Sequence, residues 1–125
     1  MNLFGVTKGK VAIPKKKFTQ DLAVKSFETK LKGVIIKGFV VFKGGKYYAY
    51  QNLCRHFPVT LDLNDENFFT HDKSYLQCHM HGATYEVETG FCTAGPCQGT
   101  RLKALTLIEE ATQIIVDCSG AEPVK

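Results

Sequence analysis

No stretch of this 125-residue chain is apolar for long enough to cross a bilayer. The most apolar run, Gly33 to Phe42, is interrupted by Lys37 and falls far short of the ~20 residues a spanning helix needs. The amino terminus lacks the apolar core of a secretory signal, so the default compartment is a reducing cytoplasm. Amphipathic helical periodicity is missing after residue 33, which argues against an α-helical fold. The chain also lacks internal repeats, a linker and any nucleotide-binding motif. Without base-reading motifs, nucleic acid is not an expected partner, and no membrane association is expected. Acidic residues are almost missing from the first fifty positions, where only Asp21 and Glu28 face eleven lysines.

What is present describes one folded domain. Hydrophobic residues make up 44% and charged residues 22%, close to globular averages, and the length leaves no room for a second full-sized domain. The net charge of +4 conceals two unlike halves. Residues 1–50 carry +9, from eleven Lys against two acids, and residues 51–125 carry −5, from five Lys and Arg against ten acids. All five Cys and all four His lie in the acidic half. In a reducing compartment such residues are first suspected as metal ligands rather than disulfides.

The elements point to an all-β, antiparallel sandwich or barrel. Val34 to Ile36 and Gly38 to Phe42 have strand composition, and Gly44-Gly45 separates them from Lys46 to Tyr50 as a hairpin turn. Further strands are expected at Ser74 to Gln77, Ala83 to Glu88, Leu102 to Ile108 and Gln113 to Asp117, the last two forming a terminal hairpin. Residues 1–17 are expected to be a polar arm or edge segment ending in Lys15-Lys16-Lys17, a charge run of the usually solvated kind. A short helix opening at Thr19 or Gln20 is expected between Phe18 and Lys32. Residues 18–125 then form the single domain.

The chemistry is concentrated in Cys54-Arg55-His56 and, after 21 intervening residues, Cys78-His79-Met80-His81. Each half supplies one thiolate and one imidazole from a tight loop that follows a strand, so two neighbouring loops can present four ligands to one inorganic centre. Zinc accepts Cys₂His₂, but its usual spacing separates the Cys pair from the His pair. One ligand of each type per loop suits a two-iron cluster in which two Cys hold one iron and two His the other.

The pattern C-x-H…C-x-x-H, with Gly82 directly after His81, resembles the Rieske [2Fe–2S] family. Tyr85 stands where many members place an aromatic residue, and Ala94-Gly95-Pro96-Cys97 is similar to the proline-bearing loop that covers the cluster. The resemblance spans about Gly38 to Asp117 and implies a Rieske-type iron–sulfur fold. Its cluster-binding part, about residues 52–100, would hold one [2Fe–2S] cluster. Cys54 and Cys78 would ligate the inner iron, His56 and His81 the outer one near solvent. Gly82, Tyr85, Gly95 and Pro96 would support the loops. Two neutral imidazoles in place of two thiolates leave the oxidised cluster uncharged and raise its potential to roughly −150 to +300 mV. High-potential members have a Ser where this chain has Ala83, and a disulfide at the positions of Val59 and Met80, so a potential in the lower part of the range is expected.

The chain departs from the family pattern at Pro58, in the long gap that makes Leu61 to Lys73 an added excursion, and at Cys92 and Cys97. These two could form a disulfide, although packing as reduced residues suits a cytoplasm better. His79 is a rival ligand with poor geometry, His71 belongs on the surface of the excursion, and Cys118 has no expected role. The resemblance implies a soluble one-electron carrier rather than an enzyme, serving a reductase or oxygenase that docks near the cluster. The acidic half is expected to meet a basic patch on that partner. The alternatives are an accessory subunit of nitrite-reductase small-subunit type, docked through the basic half, and a zinc-stabilised interaction module.

Overall fold

The computed structural model describes residues 5–7, 9–53, 61, 67–79, 82–95 and 99–122. The described chain is built of strands: β1 (Gly5–Thr7), β2 (Lys10–Pro14), β3 (Ala23–Leu31), β4 (Val34–Lys43), β5 (Lys46–Gln51), β6 (Leu76–Gln77), β7 (Thr84–Tyr85), β8 (Cys92–Ala94), β9 (Thr106–Glu109) and β10 (Gln113–Asp117). One turn of 3₁₀ helix, Lys15–Lys17, follows β2. Three antiparallel sheets result, in the orders β1-β2-β10-β9, β3-β4-β5 and β6-β7-β8. Among the described residues no helix is long and apolar enough to cross a membrane.

The central layer is the β3-β4-β5 sheet, and β4 shows why. From Phe39 to Phe42 its apolar residues are continuous rather than alternating, the pattern of a strand buried on both faces. Phe39 and Val41 enter one core with Tyr50, Leu76, Cys78 and Tyr85. Val40 and Ile36, on the opposite face, enter a second core with Val11, Ile13, Ala49, Ile114 and Val116. The four-stranded sheet thus covers one face of the middle layer, and the small β6-β7-β8 sheet covers the other. The Gly44-Gly45 hairpin forms as expected, with φ of +59° and +82° and Lys43 opposite Lys46.

Two expectations for the basic half are corrected. Residues 10–14 are not part of a polar arm: β2 lies between β1 and β10, in register from Lys10 opposite Asp117 to Pro14 opposite Gln113. Val11 and Ile13, two residues apart, are fully buried, and that alternation outweighs the flanking lysines. Nor does a helix open at Thr19 or Gln20; the segment from Ala23 is β3, whose nine residues pair with β4 throughout. Phe27 and Thr29 face inward with period two. Lys15 is also less solvated than its neighbours. Its Nζ is 2.8 Å from Glu109 Oε2 and sits over the Tyr47 ring, while Lys16 and Lys17 are exposed.

Candidate metal centre

The second ligand loop begins where β6 ends. Gln77 is followed by Cys78, which is fully buried among aromatic and aliphatic side chains. The backbone closes the loop on itself: Cys78 N–H donates to Ala83 C=O at 2.8 Å, and Gly82 N–H donates to Cys78 C=O at 2.9 Å. Gly82 turns the chain with φ of +79°, a conformation glycine adopts without Cβ strain. Ala83 then leads into β7, where Tyr85 is fully buried opposite Leu76 on one side and Cys92 on the other.

The first ligand loop leaves β5 at Gln51. Gln51 N–H donates to Lys103 C=O at 2.9 Å and Asn52 N–H to Lys37 C=O at 2.8 Å, so the exit is anchored on both sides. The chain returns at Leu61, whose buried N–H donates to the Asn52 side-chain oxygen at 2.8 Å. Asn52 therefore ties the two ends of the loop together across nine residues. His79 N–H donates in turn to Leu61 C=O at 2.9 Å. Through the sequence Asn52, Leu61, His79, both ligand loops share one hydrogen-bonded neck.

Two further contacts brace it. The Gln51 side chain, 1% exposed, exchanges hydrogen bonds with the backbone of Glu122: Nε2–H to C=O at 2.8 Å, and N–H to Oε1 at 2.7 Å. On the far side the third loop lies against the second. A Cβ on Gly95, where φ is +101°, would stand 2.7 Å from Ala83 Cα. Tyr50 links the strands to the turn before β8 by donating from its hydroxyl to Val87 C=O at 2.6 Å, and burial raises its ionisation far above the ordinary tyrosine range.

Of the four expected ligands, Cys78 is described; Cys54, His56 and His81 lie outside the described residues, as do Pro58, Val59, Met80, Pro96 and Cys97. Gly82 closes the loop after Cys78, Tyr85 is buried in the strand that follows, and Gly95 lies against Ala83. Cys92 is buried, its thiol 3.3 Å from the Ala94 carbonyl oxygen. Cys118 packs in the opposite core, and burial pushes its thiol up to about 11. His71 is exposed on the excursion and, with Thr70, Lys73, Gln77 and His79, lines an open cavity of about 570 Å³. Asn52, Leu61 and the Gln51–Glu122 pair are site residues that pattern reading passes over. The one available signal was a buried-strand amide directly ahead of a Cys-x-His loop.

The residues fit an inorganic cluster. A buried thiol presented from a loop closed by its own backbone, with a second loop hydrogen-bonded to its base, is a rigid mount for thiolate coordination. The same loop also buries His79 Nε2 with no hydrogen-bond partner among the described residues, a cost an external acceptor would relieve.

Comparison with known proteins agrees with this geometry. The family model for the Rieske [2Fe–2S] domain matches residues 13–113. No curated protein matches the chain. Among solved structures, the ferredoxin of carbazole 1,9a-dioxygenase from Nocardioides aromaticivorans IC177 is 26% identical with a TM-score of 0.58, covering 78% of this chain and 86% of that one. A complex of reduced oxygenase and oxidised ferredoxin in carbazole 1,9a-dioxygenase contains a chain that matches with a TM-score of 0.68 at 18% identity, covering 95% of this chain and all of that one. A chain from the reduced oxygenase–ferredoxin complex matches with a TM-score of 0.65 at 22% identity, covering 87% of this chain but only 28% of that longer one. The two-loop mount, the all-β layers around it and the match over most of the chain lead to one conclusion: this protein belongs to the Rieske [2Fe–2S] domain family.

Proposed function

We propose that the protein is a one-electron carrier of ferredoxin type that serves an oxygenase or a related oxidoreductase. When bound, the [2Fe–2S] cluster supplies a site that accepts and releases a single electron. Cys54 and Cys78 would hold it through thiolates and His56 and His81 through imidazole nitrogens. The carrying observation is the shared neck, which joins the two ligand loops through the buried Asn52 side-chain oxygen and the Leu61 and His79 backbone. The likeness to a ferredoxin over 86% of that protein's length supports a free-standing carrier. A reducing cytoplasm is the compartment this reading implies.

The residues around the mount define the electron's environment. Cys78 keeps one end of the site dry, which limits reorganisation of solvent when charge changes. Ala83, fully buried, has no hydroxyl to donate toward the site, so one device for stabilising the more negative reduced state is missing. A potential in the lower part of the Rieske range follows. The test is electron paramagnetic resonance of the dithionite-reduced protein with voltammetry. A mixed-ligand [2Fe–2S] signal, abolished in Cys78→Ser and in His81→Ala, supports the carrier. A colourless protein that binds one zinc instead overturns it.

A further inference from the structure

The register of the middle sheet leaves part of it unpartnered. β5 ends at Gln51 opposite Gly38, but β3 and β4 continue to pair until Leu31 stands opposite Val34. Residues 28–37 therefore project past the end of β5 as a two-stranded ribbon. They project at the point where the first ligand loop departs, since Asn52 N–H donates to Lys37 C=O.

Its composition is unusual for an exposed ribbon. Ile35 is 53% exposed and Val34 46%, adjacent in sequence at the tip. Strand alternation puts Ile35 and Lys37 on the same face of β4 as Phe39, the face that carries the ligand-bearing sheet, with Lys30 directly opposite Ile35. The Lys15–Glu109 and Lys43–Glu88 ion pairs lie away from the ribbon, whose one carboxylate, Glu28, stands opposite Lys37. Over residues 23–37, four lysines stand against one glutamate.

The turn adds an independent sign. Lys32 and Gly33 both have positive φ, +51° and +81°. A two-residue turn of this kind favours Asn-Gly or Asp-Gly, because a lysine Cβ is strained there. The strain is accepted at the one position that holds a positive charge at the ribbon tip, and such outliers cluster at functional surfaces.

We infer that the β3–β4 ribbon is a docking element for the protein's redox partner, and that the partner presents an acidic face with an apolar recess. This rests on the carrier reading and reverses the polarity that the charge of the two sequence halves suggests. Lys30, Lys32 and Lys37 steer the encounter, while Val34 and Ile35 supply the apolar contact that sets residence time.

The test uses the holoprotein, reduced and mixed by stopped flow with two single-electron acceptor proteins of opposite surface charge, plastocyanin (acidic) and cytochrome c (basic). The expected result is rapid reduction of plastocyanin that slows as salt rises, and slow reduction of cytochrome c. Lys30→Glu/Lys32→Glu should cut the low-salt plastocyanin rate by roughly tenfold and raise the cytochrome c rate. Lys32→Asn should lower the plastocyanin rate while leaving the melting temperature unchanged or higher, which separates docking from folding. Val34→Ser/Ile35→Ser should slow plastocyanin reduction without altering its salt dependence. Wild-type rates in all three variants, with the cluster spectrum and midpoint intact, would overturn the inference. So would a dimer in sedimentation velocity that the Val34/Ile35 variant disperses. Absence of a [2Fe–2S] signal in the wild type instead defeats the carrier reading and is seen before any rate is measured.

Discussion

Replacing Asn52 by Ala removes the oxygen that closes the first ligand loop. Leu61 is fully buried, and its N–H has the Asn52 oxygen as acceptor at 2.8 Å. Leaving a buried donor unpaired costs about 1–3 kcal/mol, the low end applying if water reaches it. Each ~1.4 kcal/mol is tenfold in an equilibrium, so opening of the neck should become roughly 5- to 150-fold more frequent. Because His79 is bonded to the same Leu61, the second loop loosens with the first.

Cluster loss should rise by that factor if it proceeds through the open neck. The assay is decay of the visible absorbance in excess iron chelator, beside a thermal melt. For a domain of this size the melting temperature should fall by roughly 4–10 °C. Asn52→Asp keeps an acceptor for Leu61 and should recover most of the retention, while its carboxylate makes the cluster harder to reduce. An Ala variant that melts early yet holds its cluster as long as the wild type would show that the neck is not the route of loss. That result would refute the reasoning.

Three other outcomes follow from the same structure. Gly95→Ala should destabilise by about 3 kcal/mol, from left-handed φ strain plus backbone contact with Ala83, whereas Gly33→Ala, with nothing within 4 Å, should cost only about 1 kcal/mol; paired melts check this. Cys118, raised to about 11 by burial, stays a neutral thiol at pH 8 and should resist alkylation until the chain unfolds, as mass spectrometry after iodoacetamide would read. Asp72 is held below its ordinary range by the Ser74 N–H and the Thr70 hydroxyl. Its contribution to the excursion turn is therefore present above that range and lost as the pH falls through the lowered value, so exchange of the Ser74 amide should quicken only in strong acid.

The family was legible in the sequence because coordination chemistry fixes residue types at short range, and the Rieske [2Fe–2S] domain model matches residues 13–113. The β4–β5 hairpin was legible because Gly44-Gly45 can hold positive φ where few pairs can. What escaped was set by partners distant along the chain. Val11 and Ile13 show two-residue alternation, but its meaning depends on β10, a hundred residues later. β3 was obscured because five of its nine positions carry Lys, Ser, Glu or Thr, as an edge strand with one solvated face does. Asn52 and Leu61 are nine residues apart across a loop, and nothing local marks the Leu as the amide that needs closing.

The split of charge along the sequence also changes meaning once folded. Where the halves pack, it is partly neutralised: Lys15 meets Glu109 and Lys43 meets Glu88 at 2.7–2.8 Å, each pairing a basic-half residue with an acidic-half one. Such surface pairs contribute little stability, about 0–1 kcal/mol each, so their consequence is mainly for the field the molecule presents. Positive charge is partly cancelled along the seams and prevails on the β3–β4 ribbon, where Lys30, Lys32 and Lys37 stand against Glu28. A partner approaching the ligand loops from that side meets lysines first. The sign of the docking field is thus decided by which strand overhangs its neighbour, a property of the register rather than of either half's net charge.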